Sequence, residues 1–223
     1  MAFHRALELA QAIKDKNIAA PIILGGPHVT SNYKHAMSYP AFDYGVLREG
    51  ELTLWELCEA LAGGTPPGQV DGIVYHGPGG LIKTSTRTYI EDLDILPFPA
   101  YDLIPDIEVY FPPLHKCRAL PVINILSSRG CPNQCTFCDK NVFGSAYRQR
   151  SAENVFEEIK MLRETYGVRE INFSDDTFLL DKRRNIRLFE LLRQAGIFIH
   201  WTCYSRIADV DKEYLRFLKD NGL

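Results

Sequence analysis

The segment Ser127-Ser-Arg-Gly-Cys-Pro-Asn-Gln-Cys-Thr-Phe-Cys138 decides how this sequence is read. Three of the chain's six cysteines fall there within eight positions, at C-x3-C-x2-C spacing, directly after the apolar run Val122–Leu126, which reads as a β-strand. A loop leaving the carboxyl end of a parallel strand is where α/β folds place chemistry. Six cysteines in 223 residues are too sparse for a disulfide scaffold, so a thiolate metal site in a reducing compartment is the better reading. A cubane cluster ordinarily takes four thiolates, and three on one loop leave an iron open to a ligand. The bland alternative is a zinc knuckle with His115 or Cys117 as fourth ligand. Cys58, Cys117 and Cys203 stand alone and read as small buried hydrophobes.

Downstream of the loop, strand and helix alternate. Ser151 precedes a helix with apolar positions Val155, Phe156, Ile159 and Leu162, and Ile171–Phe173 forms the next strand. A helix through Ile186–Leu192, a strand Ile197–Cys203 and a helix Tyr214–Leu218 ending at Asn221-Gly222 complete three βα units, which predict part of a parallel barrel. Two of the strand ends carry polar groups: Asp175-Asp176 after the second, Arg206 after the third. Either aspartate could simply cap a helix. An arginine fork could hold a carboxylate, and a solvated surface arginine is the plain alternative.

Upstream, Phe3, Leu7, Ala10 and Ile13 recur at helical spacing, and Pro21–Leu24 reads as a strand broken at Gly25-Gly26. A second strand, Tyr44–Leu47, leads through Arg48-Glu-Gly-Glu51 into a helix whose inner face would carry Leu54, Leu57, Cys58 and Leu61. Val70–His76 and Leu81–Thr84 around Gly77-Pro-Gly-Gly80 read as a small antiparallel appendage. Six of the thirteen prolines lie between Pro97 and Pro121, including Phe111-Pro-Pro113, so 88–118 reads as a surface linker. The expected organisation is a partial domain over 1–87, a proline-rich linker over 88–118 and an α/β core over 119–223.

With 25 basic and 28 acidic residues the chain lacks the positive excess of a nucleic-acid binder. Lys14, Asp15 and Lys16 interrupt any leader-like apolar segment, and no apolar run approaches a membrane span, so a cytoplasmic protein is expected. The sequence opens inside a helix and closes at a helix end, while parallel strands need neighbours, so it reads as part of a longer protein.

The C-x3-C-x2-C loop with an aromatic before its last cysteine is similar to the radical SAM signature. Tyr147-Arg-Gln-Arg-Ser151, Phe173-Ser-Asp-Asp176 and Ser205-Arg206 resemble the cobalamin-dependent branch of that superfamily. The resemblance implies a [4Fe-4S] cluster on Cys131, Cys135 and Cys138. It implies S-adenosyl-L-methionine held with help from Phe137, one of Asp175 and Asp176, and Arg206. It also implies a Rossmann-like cobalamin domain, of which Gly25, Gly26, Pro27, His28, Glu49, Gly50 and Glu51 would be the late loops, followed by the first strands of a radical SAM barrel. No Asp-x-His-x-x-Gly motif, the usual source of a lower axial histidine, occurs. A small-molecule substrate, an electron donor such as flavodoxin or ferredoxin, and methyl transfer or rearrangement are implied in turn. A non-catalytic iron-sulfur or zinc protein is the alternative.

Overall fold

The computed structural model describes residues 2–104, 107–109 and 117–223. His115 and the Phe111-Pro-Pro113 stretch lie outside them. The chain divides into two compact units, Met1–Ile90 with Gln134–Gly144, and Glu91–Asn133 with Ser145–Leu223.

In the first unit, α1 (Ala2–Asp15) ends at Asn17, whose φ of 53° is the left-handed conformation that asparagine tolerates at a helix terminus. Two strands, β1 (Ile23–Leu24) and β2 (Tyr44–Val46), pair in parallel. Between them lie α2 (Pro27–Ser31) and α3 (Tyr33–Ala36), and after them comes α4 (Glu51–Gly63), closed at Gly64 with φ 69°. The predicted hairpin, β3 (Ile73–Gly77) and β4 (Gly80–Lys83), is no appendage. β3 pairs antiparallel with β2, giving one four-stranded sheet in the order β1-β2-β3-β4.

Strand alternation puts Ile73 and Val74 on opposite faces of this sheet. Val74 joins Ala10, Val29, Met37 and Phe42, while Ile73 joins Val46, Leu57 and Ala60. Helices therefore cover both faces. Gly45 is required at the crossing, because a Cβ there would stand 2.6 Å from Val74 Cγ1 and 2.8 Å from Val29 Cγ2. The buried face of α4 also differs from the expected one: Thr53, Leu57 and Ala60 are inside, whereas Leu54 is 44% exposed and Cys58 is exposed. The helix is apolar on more than one side, so periodicity alone did not fix its rotation.

The second unit is built on β5 (Val122–Ile125), β8 (Glu170–Phe173) and β9 (His200–Cys203), a parallel sheet in the order β5-β8-β9. Between β5 and β8 come the two-residue strands β6 (Ser128–Arg129) and β7 (Arg148–Gln149), which pair antiparallel, and α5 (Ala152–Tyr166). After β8 follows α6 (Lys182–Gln194), and after β9 follows α7 (Lys212–Asp220). Each helix starts on a side-chain cap: Ser151 accepts from Asn154 N–H, Asp181 from Arg184 N–H and Asp211 from Tyr214 N–H. The core gathers Ile159, Leu162, Ile171, Phe173, Leu188 and Trp201, with Phe173 stacked on Phe178. In the described part of the proline-rich stretch, Leu93 and Tyr101 are buried. The Tyr101 hydroxyl donates to Glu158, and burial of the phenol, then the Glu158 charge, hold it well above its ordinary range.

Among the described residues no helix is long and apolar enough to cross a membrane.

Leu57→Ala should lower unfolding free energy by about 2–4 kcal/mol through the cavity it leaves. Leu54→Ala, one turn away on the half-exposed side, should cost less than about 1 kcal/mol. Urea denaturation of both variants checks the rotation of α4.

Candidate functional site

The cysteine loop begins where β5 ends, and its base is held by side chains that carry no metal ligand. Asp175, following β8, is 1% exposed. Its carboxylate accepts the Ser127 N–H at 2.7 Å, the Ser127 hydroxyl at 2.6 Å and the Ser128 hydroxyl at 2.5 Å. Arg184 of α6, also buried, donates to the Ser127 carbonyl at 3.0 Å and to the Ser127 hydroxyl at 2.9 Å. Burial pushes the Asp175 carboxyl above its ordinary range, opposed by the serine hydrogen bonds and, more weakly, by Arg184. The β6–β7 ribbon closes the loop a second time, pairing Ser128 with Gln149 and Arg129 with Arg148.

The two adjacent aspartates thus have different surroundings. Asp175 faces inward and its oxygens are occupied by serine donors, while Asp176 is exposed.

In the second unit, Cys131 is half-buried and the Asn133 amide nitrogen lies 3.2 Å from its sulfur. The Asn133 carbonyl oxygen accepts from Arg206 Nη1. Arg206 sits in the turn after β9, where Asp209 Oδ2 takes the Arg206 N–H at 3.2 Å, the Ser205 hydroxyl at 3.2 Å and the Thr177 hydroxyl at 3.0 Å. The division of the chain falls just after Asn133, so Cys135 and Cys138 count with the first unit. Both are exposed, the Cys138 N–H donates to the Cys135 carbonyl at 3.1 Å, and Phe137 between them is 91% exposed. Asp139 accepts the Ser31 hydroxyl and the Asn141 N–H, which hold its carboxyl below the ordinary range.

Cys131, Cys135 and Cys138 form no disulfide. Among the described residues no three His, Cys, Asp or Glu side chains are already gathered as a metal-holding group. The donor chemistry nonetheless fits a thiolate-ligated cluster, with three unbridged thiols on one irregular loop whose root is clamped. Of the remaining cysteines, Cys58 is exposed rather than buried, and Cys203 is half-buried on β9. Burial, then the nearby Asp175 charge, pushes the Cys203 thiol up to about 12.

In the first unit, a Cβ on Gly25 or Gly26 would meet nothing within 4 Å, so the backbone after β1 is open to a close approach. Pro27 lies at the start of α2, and His28 Nε2 is 3.1 Å from His35 Nδ1. Gly50 precedes α4 and Glu51 opens it. Glu49 turns inward, 6% exposed, and accepts the Ile90 N–H at 2.9 Å. The open glycines are compatible with a bulky cofactor, whereas Glu49 serves as an internal brace.

Sequence reasoning missed Ser127, Ser128, Arg184 and Asn133. The serine pair stands beside the cysteine motif and could have been suspected. Arg184 could not, because a polar residue in the first turn of a helix reads as solvated.

Residues 125–223 match the family described as the Radical SAM superfamily. Over that stretch, which holds Cys131, Cys135 and Cys138, the chain is similar to that superfamily. Over 99% of its length it is 35% identical to an uncharacterized methyltransferase of Pyrococcus horikoshii, covering 47% of that protein. It is 28% identical to the cytidylyl-2-hydroxyethylphosphonate methyltransferase of Streptomyces wedmorensis, with 98% of this chain and 45% of the relative covered. It is also 28% identical to an anaerobic magnesium-protoporphyrin IX monomethyl ester cyclase of Rubrivivax gelatinosus, with 100% and 40% covered. The chain therefore spans less than half the length of these relatives.

Its α/β fold is that of the cobalamin-dependent S-adenosylmethionine radical enzyme OxsB, solved with aqua-cobalamin and S-adenosylmethionine bound. The TM-score is 0.74 at 20% identity, over 99% of this chain and 32% of that one. The radical S-adenosylmethionine methyltransferase TsrM of Kitasatospora setae, solved with cobalamin and a [4Fe-4S] cluster, aligns at a TM-score of 0.70 and 18% identity, over 99% and 43%.

Asp175→Ala should lower unfolding free energy by about 3 kcal/mol or more, because it strands buried serine donors beside a buried arginine. Asp176→Ala should change it by less than about 0.5 kcal/mol. Guanidinium denaturation of the pair separates the buried clamp from its exposed neighbour.

Proposed function

We propose that this chain is part of a cobalamin-dependent radical SAM enzyme acting on a small molecule by methyl transfer or rearrangement. The observation that carries the reading is the superfamily match over 125–223, which contains all three clustered, unbridged cysteines. The first unit is read as the late part of a Rossmann-like cobalamin domain, supported by helices on both faces of its sheet and the open Gly25-Gly26 turn. The parallel order β5-β8-β9 supports reading the second unit as the first three βα units of a radical SAM barrel. On this reading the domains would run 1–87 and 119–223 with a linker over 88–118, whereas the compact units put Glu91–Asn133 with the second and Gln134–Gly144 with the first.

Cys131, Cys135 and Cys138 would hold a [4Fe-4S] cluster whose fourth iron is left for S-adenosyl-L-methionine. When bound and reduced by a flavodoxin or ferredoxin type of donor, that cluster supplies the electron that splits the sulfonium into methionine and a 5'-deoxyadenosyl radical. Asp176, exposed after β8, is the better placed of the two aspartates to accept from the methionine ammonium, since Asp175 is committed to Ser127 and Ser128. Arg206 keeps guanidinium N–H groups beyond the one given to Asn133, and these would pair with the methionine carboxylate. Phe137 offers an exposed ring for the adenine. Gly25, Gly26, Pro27, His28, Gly50 and Glu51 would border the cobalamin, with Glu49 bracing the loop from beneath.

Anaerobic reconstitution should give close to one four-iron cluster per chain by iron and labile-sulfide assay. Alanine at Cys131, Cys135 or Cys138 should abolish it, while Cys58→Ser and Cys203→Ser should leave the content unchanged. Stoichiometric zinc without labile sulfide would instead establish the zinc reading. A cluster that never yields 5'-deoxyadenosine with dithionite, in this chain or in a longer chain containing it, would establish a non-catalytic iron-sulfur protein.

A further inference from the structure

An asparagine amide can point either way, and here the choice is made by a neighbour that can only donate. Arg206 has no acceptor atom, so the Asn133 oxygen must face its guanidinium and the Asn133 NH2 must face away. That NH2 lies 3.2 Å from Cys131 Sγ. Arg206 is itself set by its backbone N–H on Asp209, the carboxylate that also takes Ser205 and Thr177. A chain of fixed polarity runs from the turn after β9, through Arg206 and the Asn133 amide, to the first cysteine of the loop.

We propose that Asn133, oriented by Arg206, donates an N–H···S hydrogen bond to the Cys131 thiolate and so raises the reduction potential of the cluster, making both residues positioning groups for the electron-accepting step. The proposal rests on Cys131 being a cluster ligand. One-electron reduction adds negative charge that is shared with the ligating sulfurs, and a donor aimed at one of them stabilises the reduced form more than the oxidised form. Asn133 sits between the cysteines, yet it is not a ligand. Its amide nitrogen is a donor, and its oxygen is occupied by Arg206.

The test is an EPR-monitored redox titration of the anaerobically reconstituted protein, with dithionite as reductant, for the unaltered chain and for Asn133→Ala, Asn133→Asp and Arg206→Gln. Both Asn133 variants should keep the full iron and sulfide content and shift the midpoint to more negative potential. Arg206→Gln should shift it in the same direction by less. The double variant Asn133→Ala with Arg206→Gln should shift no further than Asn133→Ala alone, because the arginine acts through the amide. An unchanged midpoint in Asn133→Ala with the cluster intact would overturn the proposal and leave the cluster reading standing. Additive shifts in the double variant would overturn the relay, showing that Arg206 acts by its own charge. Loss of the cluster from both Asn133 variants, with circular dichroism unchanged, would make Asn133 a support for loop assembly and would equally overturn it. Absence of labile sulfide in the unaltered protein would refute the cluster reading itself.

Discussion

The second unit depends on one buried carboxylate. Asp175 accepts three donors from Ser127 and Ser128, and these residues join β5 to the cysteine loop. A charge removed from water is expensive unless its lone pairs are filled and a counter-charge lies near. Here the serine donors fill the oxygens, and Arg184 reaches the same serine from the other side. The arrangement joins the ends of β5 and β8 to the start of α6. The loop that, on the proposed reading, would present three sulfurs to a cluster therefore departs from a root whose polar groups are paired, as preorganised sites require.

Around that root the chain uses local polar devices of the same kind. α5, α6 and α7 each start on a side-chain cap, and the turn after β9 is drawn together on Asp209. The ribbon of β6 and β7 pairs only two residues on each strand, yet it fixes both ends of the cysteine loop against each other. Apolar packing supplies the bulk of the stability through the cluster around Ile159, Ile171 and Trp201. The polar devices determine where the loops leave it.

Much of this was legible in the sequence, and the failures have physical causes. β5, β8, β9 and the helices between them were readable because short apolar runs alternate there with period-3.6 patterns, as with Val155, Ile159 and Leu162 in α5, whereas the two-residue β6 and β7 left no such mark. The cysteine motif was readable because its spacing is chemically restrictive. The rotation of α4 was not, since Leu54, Leu57, Cys58 and Leu61 are all apolar and only tertiary contacts choose Leu57. The hairpin of β3 and β4 was recognised as a hairpin but not as part of the β1–β2 sheet, because pairing partners distant in sequence leave no local mark. Asp175 and Asp176 were indistinguishable on paper. Burial and the serine pair separate them in space.

Cys203 illustrates how a protein can hold sulfur in reserve without exposing it to exchange. Thiol–disulfide chemistry and electrophilic attack proceed through the thiolate, whose fraction falls tenfold for every unit that the group is raised. With its thiol pushed up to about 12, Cys203 remains protonated across the physiological range, and its half-buried place on β9 further slows any reagent. Oxidants and alkylating agents, which act on the thiolate, are thereby held off Cys203. The sheet can thus carry this sulfur as packing material.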